Sequence, residues 1–325
     1  MHGDSSLLIF TVKTDLEKQI YQAQCIGNVE PIEYMIPYPS MRSLIEGQNI
    51  KFAEQVIFEK LSITNLKFYE LIQQTAHWLD SIGLKPKERI ILTELDFPQT
   101  EILLFGIWHL GAIAVIPANE SLGSVKKYCD TNLVIESGIN LFDAIKDLPT
   151  TFDPKYKPLL DNEALVTFEK GVGIRLSHYN LLVNTNSIQK VINLKSRTRF
   201  SCNLKPVSSA WAVLKAILPI YCGCIFDIQN PEFTIGEADA DFIIRKDLEN
   251  LNDFGKNELA VCPENAAILT KGKEALHLTE FHIKESELEI HGHSVMMGYV
   301  DDALNEERFR KGAFFLNILN TENTK

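Results

Sequence analysis

The chain has 325 residues, enough for a full core in one large domain or several subdomains. Its 45% hydrophobic and 23% charged content is that of an ordinary globular protein. A net charge of −11 argues against a general binder of nucleic acid or of anionic membranes. No apolar run approaches the roughly 18–20 residues that span a bilayer, and Met1–Ser6 places no basic region ahead of Leu7-Leu8-Ile9-Phe10, so neither a transmembrane segment nor a signal peptide is expected.

Residues 1–40 read as an N-terminal extension: a β-like run over Leu7–Val12, a helical stretch near Asp15–Gln24, then Pro31, Pro37 and Pro39 marking irregular chain. From Met41 the pattern is α/β. Phe52–Glu59 and Lys60–Ile63 read as a hairpin-like strand pair. Asn65 then caps a helix with Leu71, Ile72, Ala76, Leu79 and Ile82 on one face, stopped by Gly83. Arg89–Thr93 is a buried parallel-type strand, Pro98 opens a helix that Gly111 ends, and Ala112–Ile116 is a second buried strand. Val125–Cys129, Leu133–Ile135 and Leu141–Ile145 read as helix, strand and helix, and Asp153–Pro158 as a bridging loop. Strands alternating with helices of this length predict a parallel sheet covered on both faces.

The next stretch organises the functional reading. Ala164–Phe168 is an apolar strand, Glu169–Arg175 a short glycine-bearing turn, and Ser177 the cap of a helix containing His178. Strand, glycine loop and helix is the arrangement in which backbone N–H groups and the helix dipole hold a phosphate. His178, alone in the first turn, reads as packed or solvated rather than catalytic. The six cysteines are scattered, as suits free thiols in a reducing cytoplasm. Cys222-Gly223-Cys224, their one close pair, reads as structural thiols at a strand entry, with redox or metal chemistry as the alternative. Ala267–Leu269, His277–Ile283 and Leu288–His291 alternate as strands of a small β unit. His291 and His293 share a strand face, but no third metal ligand is evident.

Taken in order, several segments resemble the adenylate-forming superfamily of acyl- and aryl-CoA synthetases, luciferases and peptide-synthetase adenylation domains. They are Leu66–Asn119, Asp161–Val166 with Leu176–Leu181, Leu204–Gly223, and the most specific, Gly292–Asp302 followed by Glu306–Phe315. The resemblance spans residues 41–318 and implies an α/β fold like that family's AMP-binding N-terminal domain. That fold has two α/β subdomains, with mixed or parallel sheets covered by helices, and a small C-terminal β unit. The implied divisions are an extension at 1–40, a first subdomain at 41–160, a second, shortened one at 161–265 and a small β subdomain at 266–325.

What the resemblance implies about chemistry is loss. The family's phosphate loop reads roughly Ser-Gly-Thr-Thr-Gly-x-Pro-Lys-Gly. Here only Glu169, Lys170, Gly171 and Val172 stand between Phe168 and Gly173, with no hydroxyl and with an anion at Glu169. Phe254-Gly255-Lys256-Asn257-Glu258 resembles the family's Tyr-Gly-x-Thr-Glu, which implies adenine stacking by Phe254 and an approach to Mg²⁺ by Glu258. Asn257 weakens the phosphate contact that the threonine would make. The Leu204–Gly223 segment implies an acyl pocket near Ser209 and Trp211, although the family's aromatic or histidine there has become Ser208-Ser209-Ala210-Trp211. Ile318 stands where the family's ribose-gripping aspartate belongs, and cannot accept its two hydrogen bonds. The chain ends at Lys325, before the family's mobile C-terminal domain with its catalytic lysine.

The expectation is therefore a catalytically inactive homologue serving as a binding or assembly subunit in an acyl or natural-product pathway, in the cytoplasm. Its vestigial nucleotide site comprises Lys170, Gly171, Gly173, Phe254, Gly255, Asn257 and Glu258, and its substrate pocket Trp211 and Ser209. No catalytic or metal-ligating residues are assigned, and no cofactor is expected unless the degenerate site still binds ATP and Mg²⁺. Its partner would be an active synthetase, a carrier protein or another pathway enzyme. One alternative is a divergent ligase completed in trans by a separate C-terminal domain or running non-ATP chemistry. The other is a sensor of acyl or CoA ligands.

Overall fold

The computed structural model describes residues 13–318, so the strand expected over Leu7–Val12 lies outside the described residues. The chain opens with helix α1 (Asp15–Ala23), held by a reciprocal capping box between Thr14 and Glu17. Helix α2 (Met41–Phe52), capped by Ser40, takes up Phe52, which the sequence places in a strand. The strand is shorter, β1 (Val56–Phe58), and pairs antiparallel with β2 (Ile63–Thr64). Thr64, not Asn65, caps α3 (Asn65–Ser81); the Asn65 amide instead reaches back to the Phe52 carbonyl.

Strand β3 (Arg89–Ile91), α4 (Gln99–Leu110) and β4 (Ile113–Ile116) follow as expected. Gly111 ends α4 with φ 82°, a left-handed conformation that glycine adopts without a Cβ penalty. Helices α5 (Leu122–Cys129) and α6 (Leu141–Ile145) lead to β5 (Glu163–Glu169). The strand expected at Leu133–Ile135 reduces to a single parallel bridge from Val134 to Ile91.

The expected loop after β5 is a correction. Residues Val172–Ser177 form β6, antiparallel to β5, and α7 (His178–Ile192) starts only after it. The turn is just Lys170 (φ 48°) and Gly171 (φ 83°). Positive φ at both central residues is the type I′ geometry whose twist matches a two-residue hairpin.

Strand β7 (Arg199–Cys202) precedes a composite helix made of α8 (Ser209–Trp211), a π-turn over Ala212–Ile217 and α9 (Leu218–Cys222). Pro219 has no N–H to offer the Lys215 carbonyl four residues back, which favours the wider turn. Then come β8 (Ile225–Phe226), β9 (Phe233–Gly236), β10 (Phe242–Arg245) and β11 (Glu258–Val261). Strands β9 and β10 are parallel neighbours although only residues 237–241 join them. Parallel neighbours ordinarily need a crossover of about a dozen residues or more, usually helical, and here the connection is far shorter.

The remaining strands are β12 (Ile268–Lys271), β13 (Glu274–Ala275), β14 (Thr279–Lys284), β15 (Glu287–Gly292), β16 (Gly298–Tyr299), β17 (Phe309–Arg310) and β18 (Ala313–Asn317), with α10 (Asp302–Arg308) between β16 and β17. Three sheets result. The largest runs β13-β12-β11-β10-β9-β7-β8-β1-β2, the second β16-β6-β5-β4-β3, and the smallest β14-β15-β18-β17. Strands from 41–160 and from 161–265 share the two larger sheets, so the sheets interleave the sequential divisions. The main core runs through all three, and a smaller cluster of Ile91, Val115, Val125, Val166 and Phe168 fills the other face of the second sheet.

Candidate functional site

Where the sequence places a phosphate loop, the structure has a tight hairpin with side chains packed against it. Lys170 and Gly171 are exposed at its tip, while Gly173 lies within β6 and is buried. A Cβ on Gly173 would stand 3.0 Å from Cγ2 of Val300 and 3.3 Å from the Phe168 ring. The space a ligand would need beside that glycine is taken by side chains. Arg175, the other cation of the segment, gives its Nε to Glu163 at 2.6 Å, and Arg89 holds the second oxygen of that carboxylate at 2.8 Å.

The N-terminus of α7 is tied into the structure. Ser177 Oγ accepts from the Asn180 N–H at 3.0 Å, and the Asn180 amide donates to the carbonyls of His293 and Val295. His178 is buried, and burial lowers its pKa to about 3, so it stays neutral. Gly292 has φ 137° and faces the Leu278 carbonyl so closely that a Cβ would lie 2.2 Å from that oxygen. Val295 and Met296 are fully buried, and Tyr299 is nearly so. The most specific retained signature thus does packing work at each of these positions.

His291 pairs with Glu289 at 3.2 Å, whereas His293 takes the Tyr179 hydroxyl at 2.6 Å and the Val29 carbonyl at 3.3 Å. The two histidines turn to different partners. Among the described residues no group of three His, Cys, Asp or Glu side chains is arranged to hold a metal ion.

Phe254 is buried with the Arg245 guanidinium 4.3 Å above its ring. Glu258 accepts from Gly255 N–H at 2.7 Å and from Arg245 at 3.0 Å, while Asn257 is exposed and its carbonyl accepts from Ile243. Ile318 packs partly buried against the core. The carboxylate brought within electrostatic reach of Glu169 is a different one, Glu264, in the turn closing β11. It is buried, accepts from the Tyr299 hydroxyl at 3.3 Å, and has its pKa raised by burial. Sequence reasoning missed it, because nothing in the spacing of Pro263-Glu264-Asn265 tells a packed turn from a site.

Ser209 and Trp211 are both fully buried; Ser209 Oγ finds no hydrogen-bond partner, and the Trp211 indole faces the buried Glu101 carboxylate. Cavities of about 800, 560 and 430 Å³ open elsewhere, and none is lined by Lys170, Gly171, Gly173, Phe254, Asn257, Ser209 or Trp211. The largest lies under the N-terminal segment, between α1 and the β6–α7 junction, where Arg175, Tyr179 and Met297 form part of its wall. Among the described residues no helix is long and apolar enough to cross a membrane.

No protein-family model matches the sequence, and no curated protein sequence matches it. Solved structures do. The chain is similar to the N-terminal domain of FACL13 from Mycobacterium tuberculosis, at 15% identity over 85% of this chain and 95% of that one, with a TM-score of 0.68. It is similar to the Klebsiella oxytoca NpsA N-terminal subdomain in complex with anthranilyl-AMSN, at 15% identity over 86% and 96%, TM-score 0.68. The anthranilate CoA ligase AuaEII in complex with anthranoyl-AMP aligns at 13% identity over 86% and 74%, TM-score 0.71. Likeness at such identities is a likeness of fold. The chain has the fold of the N-terminal domains of adenylate-forming acyl- and aryl-CoA ligases, as the sequence resemblance implies.

Proposed function

We propose that this chain is a non-catalytic relative of the adenylate-forming ligases, retained as a binding or assembly subunit in an acyl or natural-product pathway. The observation that carries the reading is the Lys170-Gly171 hairpin with Val300 packed beside Gly173, which offers a triphosphate no hydroxyl donor and fills the space beside that glycine. The engagement of Glu258 by Arg245 and the apolar Ile318 support it at two further contact points. An acyl carrier protein is the partner best supported. Similar structures include NpsA-ThdA, an artificially fused Adenylation-PCP di-domain, and McyG A-PCP complexed with phenylalanyl-adenylate. The free state of all six cysteines supports a reducing, cytoplasmic setting. Incubation with ATP, Mg²⁺ and a panel of fatty, aryl and amino acids tests the reading: no pyrophosphate exchange is expected, and exchange above background would overturn it.

A further inference from the structure

The chain passes from α9 into β8 through Cys222-Gly223-Cys224. Gly223 ends the helix with φ 70°, and a Cβ there would stand 3.1 Å from Ser196 Oγ, so the turn favours glycine. Its carbonyl accepts from the Arg197 N–H at 2.7 Å, the Gln55 side-chain amide at 2.9 Å and Ser196 Oγ at 3.3 Å. The turn is thereby tied both to the segment after α2 and to the loop joining α7 to β7.

This fixed turn sets two thiols side by side. The Cys222 and Cys224 sulfurs lie within hydrogen-bonding reach of each other, close enough to be bridged without moving distant elements. Cys224 is fully buried and Cys222 half-buried, so a reagent from solvent meets Cys222 first, with Cys224 behind it. Both thiols also serve the α7–β7 loop. Cys222 donates to Gln189 Oε1 at 3.0 Å, and Cys224 to the Lys195 carbonyl at 3.5 Å. Gln189 in turn gives its amide to the Leu194 carbonyl at 2.7 Å. A disulfide carries no S–H, so joining the two sulfurs withdraws both donors from a loop whose Lys195 and Arg197 are exposed.

We propose that Cys222 and Cys224 form a reversible dithiol–disulfide site, oxidised by small disulfides such as glutathione disulfide, and that bridging them loosens the α7–β7 loop. Cys222 loses its proton and attacks one sulfur of glutathione disulfide, releasing one glutathione. Cys224 then attacks the Cys222 sulfur of the mixed disulfide and releases the second. Two protein S–H bonds give one S–S bond, and the two glutathiones leave with the protons and the electron pair. Cys224 beside it, together with burial, pushes the Cys222 thiol up. Its thiolate is therefore scarce and the exchange slow, so the test reads the equilibrium product and not the rate.

Full-length native protein is equilibrated with glutathione disulfide, quenched in acid, alkylated and digested with trypsin for mass spectrometry. Residues 216–245 form one tryptic peptide that carries Cys222, Cys224 and no other cysteine. The expected peptide is lighter by two hydrogens, unalkylated and free of glutathione, and dithiothreitol restores both alkylatable thiols. Cys224→Ser should instead trap glutathione on Cys222. Cys25, the other half-buried cysteine, gives its S–H to the Tyr21 carbonyl at 3.3 Å and serves as the reference for a mixed disulfide. Tryptic cleavage of the native fold after Lys195 and Arg197 should run several-fold faster once the bridge is formed. In the double variant Cys222→Ser, Cys224→Ser it should be indifferent to oxidant. Both thiols still alkylatable, a glutathione adduct persisting on Cys222 of the unmodified protein, or a bridge that forms only in urea would overturn the site. An unchanged cleavage rate in the bridged protein would overturn its link to the loop.

Discussion

Val300 donates its backbone N–H to the Gly173 carbonyl at 2.8 Å and lays its side chain against the same glycine. One residue thus closes the hairpin by hydrogen bonding and by filling. A glycine in a phosphate loop is small so that a ligand can approach. Here it is small so that a valine can. This relationship turns a resemblance in sequence into a statement about chemistry.

Gly173→Ala is expected to overpack this contact at a cost of about 1–2 kcal/mol, near the low end of core overpacking. Val300→Ala made together with it should recover part of that loss, because the two positions touch. Urea unfolding of the two single variants and the double variant checks this. Additive losses would mean that Val300 does not occupy the glycine's space.

The Gly292 position makes a harsher prediction. Its left-handed φ and the Leu278 carbonyl leave no room for a methyl group, so Gly292→Ala should cost at least about 2–3 kcal/mol. A substitution tolerated within 0.5 kcal/mol would show that the signature segment is not held by packing.

Burial makes stability depend on pH through histidine. His109 has its pKa lowered from 6.5 to about 4, principally by burial, and the fully buried His178 is lowered to about 3. Folded values below the unfolded one mean that stability is complete above pH 6.5 and is lost as pH falls toward the folded values. Glu101 and Glu264, raised by burial, act in the opposite sense, so the comparison with a variant isolates the histidine. Between pH 7 and pH 5 the unmodified protein should lose about 2 kcal/mol more than His109→Gln, whose amide still donates to Phe152. Parallel stability curves for the two proteins would contradict the assignment.

Local signals carried much of the fold. Gly83, Pro98, Gly111 and Ser177 mark helix ends because their backbone chemistry acts within a few residues. The shortness of the turn after β5 was legible too, as the few residues between Phe168 and Gly173. Strand β6 was not, since Val172–Ser177 carries a glycine and an arginine, and only its pairing with β5 makes it a strand. Long-range contacts were equally silent. Arg245 holds Glu258, Glu264 approaches Glu169, and the N-terminal segment reaches Val295 and Met296 through Gln24. Each depends on how distant strands stack, which hydrophobic periodicity does not encode.

The central claim is that the hairpin has ended nucleotide binding. Calorimetric titration of the full-length protein with ATP·Mg²⁺ tests it most directly. The account predicts no saturable heat up to millimolar nucleotide. A dissociation constant in the micromolar range would contradict it.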